Sequence, residues 1–190
     1  MEQSVSSAAP GPPEAIIKNP LGSGKFWTIT FSPLRLSILP KLVPNPCKSE
    51  KYFESKTFKA GKRIKIVNLP WGKLGLSICY DLRFPNLYRK LAKDGSLFLS
   101  VPSAFTETTG KRHWHALLKA RAIENFCYIF APAQGGSHYN GRKTFGHSLI
   151  ISPDGRIIKE LNKKEGVITA SIDPKVAKKF RSVIPSLQSN

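Results

Sequence analysis

The chain has 190 residues, 41% of them hydrophobic, and a formal net charge of +18. That length suits one domain with a core of its own. It contains no run near the roughly 20 apolar residues of a membrane-spanning helix. Cys47, Cys79 and Cys127 are odd in number and form no C-x-x-C. A disulfide framework or a zinc site is therefore not expected, and a reducing compartment is, with the cytoplasm favoured and the mitochondrial matrix compatible. The positive charge invites a nucleic-acid partner. The basic residues run from Lys18 to Arg181 without gathering in one arm, and no RNP, GXXG or Cys/His-finger pattern accompanies them. Scattered lysines that keep the chain soluble explain the charge as well.

Residues 1–24 carry clustered Pro, Gly and Ser, no basic n-region and no apolar h-region, and read as a disordered lead-in without a secretory signal. Phe26 to Phe31 suits a strand, but Pro33, Pro40, Pro44 and Pro46 interrupt the next stretch of chain, so 25–50 reads as a disrupted segment. From 51 to 187 the pattern is regular. Arg63 to Val67 alternates as a half-buried strand, Pro70 to Lys73 is a turn, and Leu74 to Cys79 is a strand ending at the cysteine. Pro85 to Lys93 is helical, opening on Pro and closing at Asp94-Gly95. Leu97 to Val101 is a strand, His113 to Asn125 a helix, and Cys127 to Ala131 a strand. Gly146 to Ser152 and Arg156 to Leu161 flank Pro153-Asp154-Gly155 as a hairpin. Val167 to Ile172 is the last expected strand, followed by a basic helix from Pro174 to about Phe180. Alternating strands and helices with a late hairpin give an α/β fold with a mixed sheet.

Cys79 sits where a strand gives way to a helix, at the carboxyl end of a sheet strand, the edge where open α/β sheets place their sites. A thiol there can attack a carbonyl, and turn N–H groups can hold the oxyanion. A buried cysteine acting as a small hydrophobe is the plain alternative. The surrounding residues decide between them. Cys79-Tyr80-Asp81-Leu82-Arg83-Phe84-Pro85 resembles the nucleophile motif of the nitrilase superfamily of carbon–nitrogen hydrolases. The resemblance continues, in order, at Pro102-Ser103-Ala104-Phe105, Thr109-Gly110, His113-Trp114, Arg121 to Asn125, Gly146-His147-Ser148 and Pro153-Asp154-Gly155. It is closest to the branch that includes omega-amidase and deaminated-glutathione amidase.

This resemblance implies a partial α-β-β-α sandwich that pairs into homodimers and needs no cofactor or metal. The implied reaction is hydrolysis of a terminal carboxamide in a small carboxylated substrate, through a cysteine thioester, with release of ammonia. Cys79 is then the nucleophile and the Tyr80 N–H an oxyanion donor. Glu54, in Phe53-Glu54-Ser55-Lys56-Thr57-Phe58, is the auxiliary carboxylate. The family's oxyanion lysine corresponds to about Ile38; the nearest lysine is Lys41, three positions on and behind Pro40. The general-base glutamate belongs upstream, where Glu2 and Glu14 are the only acids before Glu50 and neither follows an apolar strand. The chain thus reads as amino-terminally truncated or disrupted, and little turnover is expected of it as it stands. A catalytically inactive homologue serving as an interaction partner is the alternative, and a basic nucleic-acid-binding protein ranks third.

Other polar residues have two readings each. Ser103 and Phe105 end a strand and are candidates to line the pocket. Arg142, in a Gly-rich stretch, has the fork geometry for a substrate carboxylate. Arg83 beside Asp81 suits an ion pair that holds the elbow. Arg121 and Glu124 are spaced for a helix salt bridge. His113 and His115, two apart, are poorly placed as a same-face metal pair. Cys127, in an apolar run, is expected in the core.

Overall fold

The structure is a computed structural model that describes residues 63–138 and 141–188. The lead-in over 1–24, the segment 25–50, Lys41 and Glu54 lie outside the described residues. Strands β1 (Lys65–Leu69) and β2 (Gly72–Leu76) form a hairpin around Pro70-Trp71. A 3-10 helix (Cys79–Arg83) leads directly into α1 (Pro85–Lys93), and β3 (Ser96–Ser100) comes next. Helix α2 (Glu107–Asn125) precedes β4 (Tyr128–Ala131), and then come four short strands: β5 (Gly135–Ser137), β6 (Lys143–Phe145), β7 (Ser148–Ile151) and β8 (Ile157–Leu161). Helix α3 (Pro174–Val183) is the last described element.

The main sheet has the order β1-β2-β3-β4-β7-β8 among the described residues. Its centre, β2, β3 and β4, is parallel; β1 and β7 join it antiparallel, and β8 pairs antiparallel with β7 at the edge. The fold is therefore α/β with a mixed sheet, as the element order indicated. Side-chain alternation divides β3 and β4 between two layers. Leu99, Val101, Ile129 and Ala131 face a continuous core with Tyr88 and Leu91 of α1 and Trp114 and Leu118 of α2. Phe98 and Tyr128 turn the other way, where they meet Ile172 and Ala177 at the start of α3.

Helix α1 has the expected bounds, with Pro85 in its first turn, where a missing N–H costs nothing. Helix α2 starts six residues earlier than its apolar pattern, because Thr106 caps it by accepting from the Thr109 N–H. Gly110 then falls inside a helix, a position that costs about 1 kcal/mol relative to alanine. The structure supplies the reason: a Cβ there would stand 2.3 Å from Phe145 Cβ, so only glycine lets α2 press onto β6.

Two expectations are corrected. Val167 to Ile172 forms no strand among the described residues; Ser171 makes only an isolated bridge. Its period-2 pattern is genuine, since exposed and half-buried positions alternate up to buried Ile172, and among the described residues it records side-chain packing without a strand. Conversely, Gly135–Ser137 and Lys143–Phe145, read only as a Gly-rich loop, pair as a separate two-stranded sheet. Their length and glycine content hid the alternation.

Candidate active site

The carboxyl ends of the three parallel strands meet along one edge. Just beyond β2, the Cys79 N–H donates to Pro102 O at 2.9 Å. Beyond β3, the Ser103 N–H donates to Pro132 O at 2.9 Å, and Ser103 O accepts from the Gln134 N–H at 2.9 Å. The strand exits are thus zipped together, and Cys79 and Ser103 are brought to the same edge.

Cys79 opens the 3-10 helix with φ +44° and is half-buried. A non-glycine residue in this left-handed region stores backbone strain of order 1–3 kcal/mol, which the surroundings must over-determine. They do so on both sides. Ahead of it, the buried Ser77 hydroxyl donates to Ser100 O at 2.8 Å and lies 2.7 Å from the Tyr88 hydroxyl. Behind it, Asp81, 4% exposed, accepts from the Ile78 N–H at 2.9 Å through its carboxylate. Arg121, 5% exposed on α2, donates from Nε and Nη2 to Leu82 O at 3.1 and 2.8 Å. Its Nη1 reaches Glu124 at 3.0 Å, and its guanidinium lies over the Tyr88 ring at 5.4 Å. Burial drives the Tyr88 phenol above its ordinary range, so it stays neutral beside Ser77.

The Arg121–Glu124 bridge expected from spacing is present. The grip on Leu82 was not legible, because it joins residues 39 apart. The available signal was an arginine at the helical phase of Trp114, Leu118 and Ala122, the inward face of α2.

The remaining candidates occupy the same rim. Tyr80 is the second residue of the 3-10 helix, its ring exposed and edge-on to Phe84 at 5.8 Å. The Arg83 guanidinium lies over Tyr80 and Phe105, at 5.6 and 5.4 Å, and 3.3 Å from His113 Nδ1. Phe105 is buried against Trp114 at 5.0 Å. The Ser103 hydroxyl donates to Val101 O at 3.1 Å. Arg142 Nη2 donates to Ala104 O at 2.7 Å, which fastens the β5–β6 hairpin to the segment carrying Ser103 and Phe105.

The two described cysteines differ. Cys127 is fully buried, as its apolar neighbours indicated, and burial pushes its thiol up to about 11 although Arg181 Nη2 lies 3.0 Å from its Sγ. Cys79 stands at the edge instead.

On the far side of α2, His115 parts from His113, since two helix positions diverge by roughly 200°. It joins His147 and Glu160, a cluster that spacing could not reveal. Burial alone would raise the Glu160 carboxyl, but hydrogen bonds from His147 and His115 outweigh it and hold it below the usual carboxylate range.

The sequence model of the carbon–nitrogen hydrolase family matches residues 40–182. A deaminated glutathione amidase of Synechocystis sp. is 52% identical over 139 residues, which cover 72% of this chain and 51% of that protein. The chain spans about half the length of the curated relatives it matches. Among solved structures, the NitFhit protein of C. elegans superposes with a TM-score of 0.74 at 40% identity, over 80% of this chain and 37% of that one. Nit3 of Saccharomyces cerevisiae, described as a member of branch 10 of the nitrilase superfamily, gives a TM-score of 0.66 at 36% identity, over 70% and 49% of the two chains.

Proposed function

Since this chain belongs to the carbon–nitrogen hydrolase family of the nitrilase superfamily, we propose that it acts on a terminal carboxamide of a small carboxylated substrate, with Cys79 as the nucleophile. The observation that carries this reading is the strained, braced position of Cys79 at the end of a parallel strand. Strain of this kind persists where function requires it. The likeness to deaminated glutathione amidases supports the amide as substrate class.

In the proposed reaction, Cys79 Sγ gives up its proton and attacks the amide carbon. The tetrahedral oxyanion is held by the Tyr80 N–H, one of the donors that a helix amino terminus leaves without an intrahelical partner. Collapse breaks the C–N bond, ammonia leaves with the transferred proton, and a thioester to Cys79 remains. Water then adds to the thioester, the carboxylate product departs, and the thiol is restored. Glu54 is assigned to proton transfer or substrate orientation and Lys41 to the oxyanion. Ser103, Phe105 and Arg142 are assigned to the substrate, Arg142 to its carboxylate. The same proposal takes the protein as homodimeric and cytoplasmic.

Two measurements on the purified chain, shown folded by circular dichroism, test it. Mass spectrometry after incubation with omega-amides, deaminated glutathione among them, is expected to find an acyl increment on Cys79 even where turnover is slow. Ammonia release is expected to vanish in Cys79→Ala. A folded protein that gives neither result with any amide favours an inactive homologue that acts as an interaction partner.

A further inference from the structure

Three side chains that the amide chemistry does not use converge between α2, the entry to β7 and β8. His115 Nε2 lies 3.0 Å from Glu160 Oε1, and His147 Nδ1 lies 2.6 Å from the same oxygen. One ligand atom from each residue falls within 4.8 Å of the others. The side chains are 32%, 21% and 28% exposed for His115, His147 and Glu160, so solvent reaches the group without bathing it.

The cluster is held from several directions. His147 has φ +62°, its N–H donates to Asn162 O at 3.1 Å, and its carbonyl accepts from Trp114 Nε1 at 2.7 Å. The Phe145 ring stacks on His147 at 4.2 Å and meets His115 edge-on at 5.9 Å. Glu160 is fixed by the β7–β8 ladder, opposite Leu149. Ligands set on a helix and a paired strand, with one ring clamped by packing, require little ordering when an ion arrives.

We propose that His115, His147 and Glu160 form a binding site for one divalent transition-metal ion of the zinc class. Two imidazoles and one carboxylate suit zinc, nickel or copper, whereas calcium and magnesium require mostly oxygen donors. Without an ion, the shared Glu160 oxygen accepts from both rings, which places the protons on His115 Nε2 and His147 Nδ1. A metal takes those two nitrogens, and the proton of each neutral ring moves through solvent to its other nitrogen. Tetrahedral zinc with bonds of roughly 2.0–2.1 Å separates its ligand atoms by roughly 3.3 Å. The two separations to Glu160 are shorter than this and the two ring nitrogens lie within 4.8 Å of each other, so an ion enters once the Glu160 carboxylate draws back along its own rotamer. This proposal is independent of the Cys79 reading.

The test is calorimetric titration of Zn²⁺ and Ni²⁺ into the purified full chain, into His115→Gln and into Glu160→Gln, each checked by circular dichroism. Both substitutions keep the side chain's approximate size and leave the strained His147 backbone untouched. One site of micromolar affinity is expected in the parent, weakened about tenfold or more in each variant. Co²⁺ absorbance is expected to lack the near-ultraviolet band of a cobalt–thiolate bond. Absence of binding by the folded parent at millimolar metal overturns the proposal. So does undiminished binding in both variants, or a thiolate band, either of which puts the ion on cysteine instead.

Discussion

The two layers against the sheet are built differently. Toward α1 and α2, large side chains interlock without a break: Tyr88, Leu91, Trp114, Leu118, Leu99 and Ile129 are all fully buried. Toward α3, the described cluster is smaller, and its margin consists of half-buried Leu69, Trp71, Leu76 and Phe130. The difference has a functional sense. Cys79 depends on the first layer, since every described hydrogen-bonding brace on its flanks, through Ser77, Tyr88, Asp81 and Arg121, lies there. A residue held in a strained conformation needs a rigid support, and close packing supplies it. Among the described residues the α3 side is joined at both ends of its helix: Tyr128 Oη donates to Asp173 O at 3.0 Å ahead of it, and at a seam near its end Arg181 donates to Ser96 O at 2.6 Å and to Asn125 O at 3.0 Å, and Phe180 stacks on Phe126 at 5.8 Å.

The contrast between the layers is tested most directly at Trp114. Trp114→Ala removes a fully buried indole and its hydrogen bond to His147 O, and is expected to lower stability by about 4 kcal/mol in urea unfolding. Arg121→Ala comes next. It strips Leu82 O of two donors and leaves a void under Tyr88, for an expected loss of about 3 kcal/mol. Alkylation of Cys79 by iodoacetamide should change rate in the folded variant. Arg121→Lys should not restore it, because one ammonium cannot reproduce the fork. An unchanged alkylation rate would mean that Arg121 braces the fold without positioning the thiol.

The seam is probed by pH. Burial raises the folded Cys127 thiol from an ordinary 9 to about 11. Between those values the unfolded thiol gives up its proton and the folded one keeps it. The stabilisation is complete below pH 9 and is lost toward pH 11, by about 1.4 kcal/mol per pH unit. Cys127→Ala should therefore show a shallower alkaline loss of stability than the parent in denaturant titrations, and parallel slopes would refute this. The smallest effect is expected on the α3 side. Ile172→Ala should cost about 2 kcal/mol, at the low end for a buried isoleucine. A cost equal to that of Trp114→Ala would remove the asymmetry between the layers.

Much of the described fold was legible in the residues. Apolar periodicity, Pro85 and the Pro153-Asp154-Gly155 turn placed α1, β7 and β8, and the strand-to-helix junction marked Cys79, because these signals act within a few residues of one another. The short β5–β6 pair offered too few residues to show a period. At Val167 to Ile172 the period was present without a strand among the described residues, since alternation reports which side chains are buried and says nothing of a backbone partner.

Local sequence by itself therefore determined most of the element types, the α/β order, the family and Cys79 as the candidate nucleophile. Tertiary structure alone decided the rest. It put Pro102 O against the Cys79 N–H, passed Arg121 to Leu82 O, required glycine at 110 opposite Phe145, and gathered His115, His147 and Glu160. Each of these joins groups more than 20 residues apart or, for His147 and Glu160, across a hairpin. Their meeting is set by strand register and helix packing, which no single stretch of chain encodes.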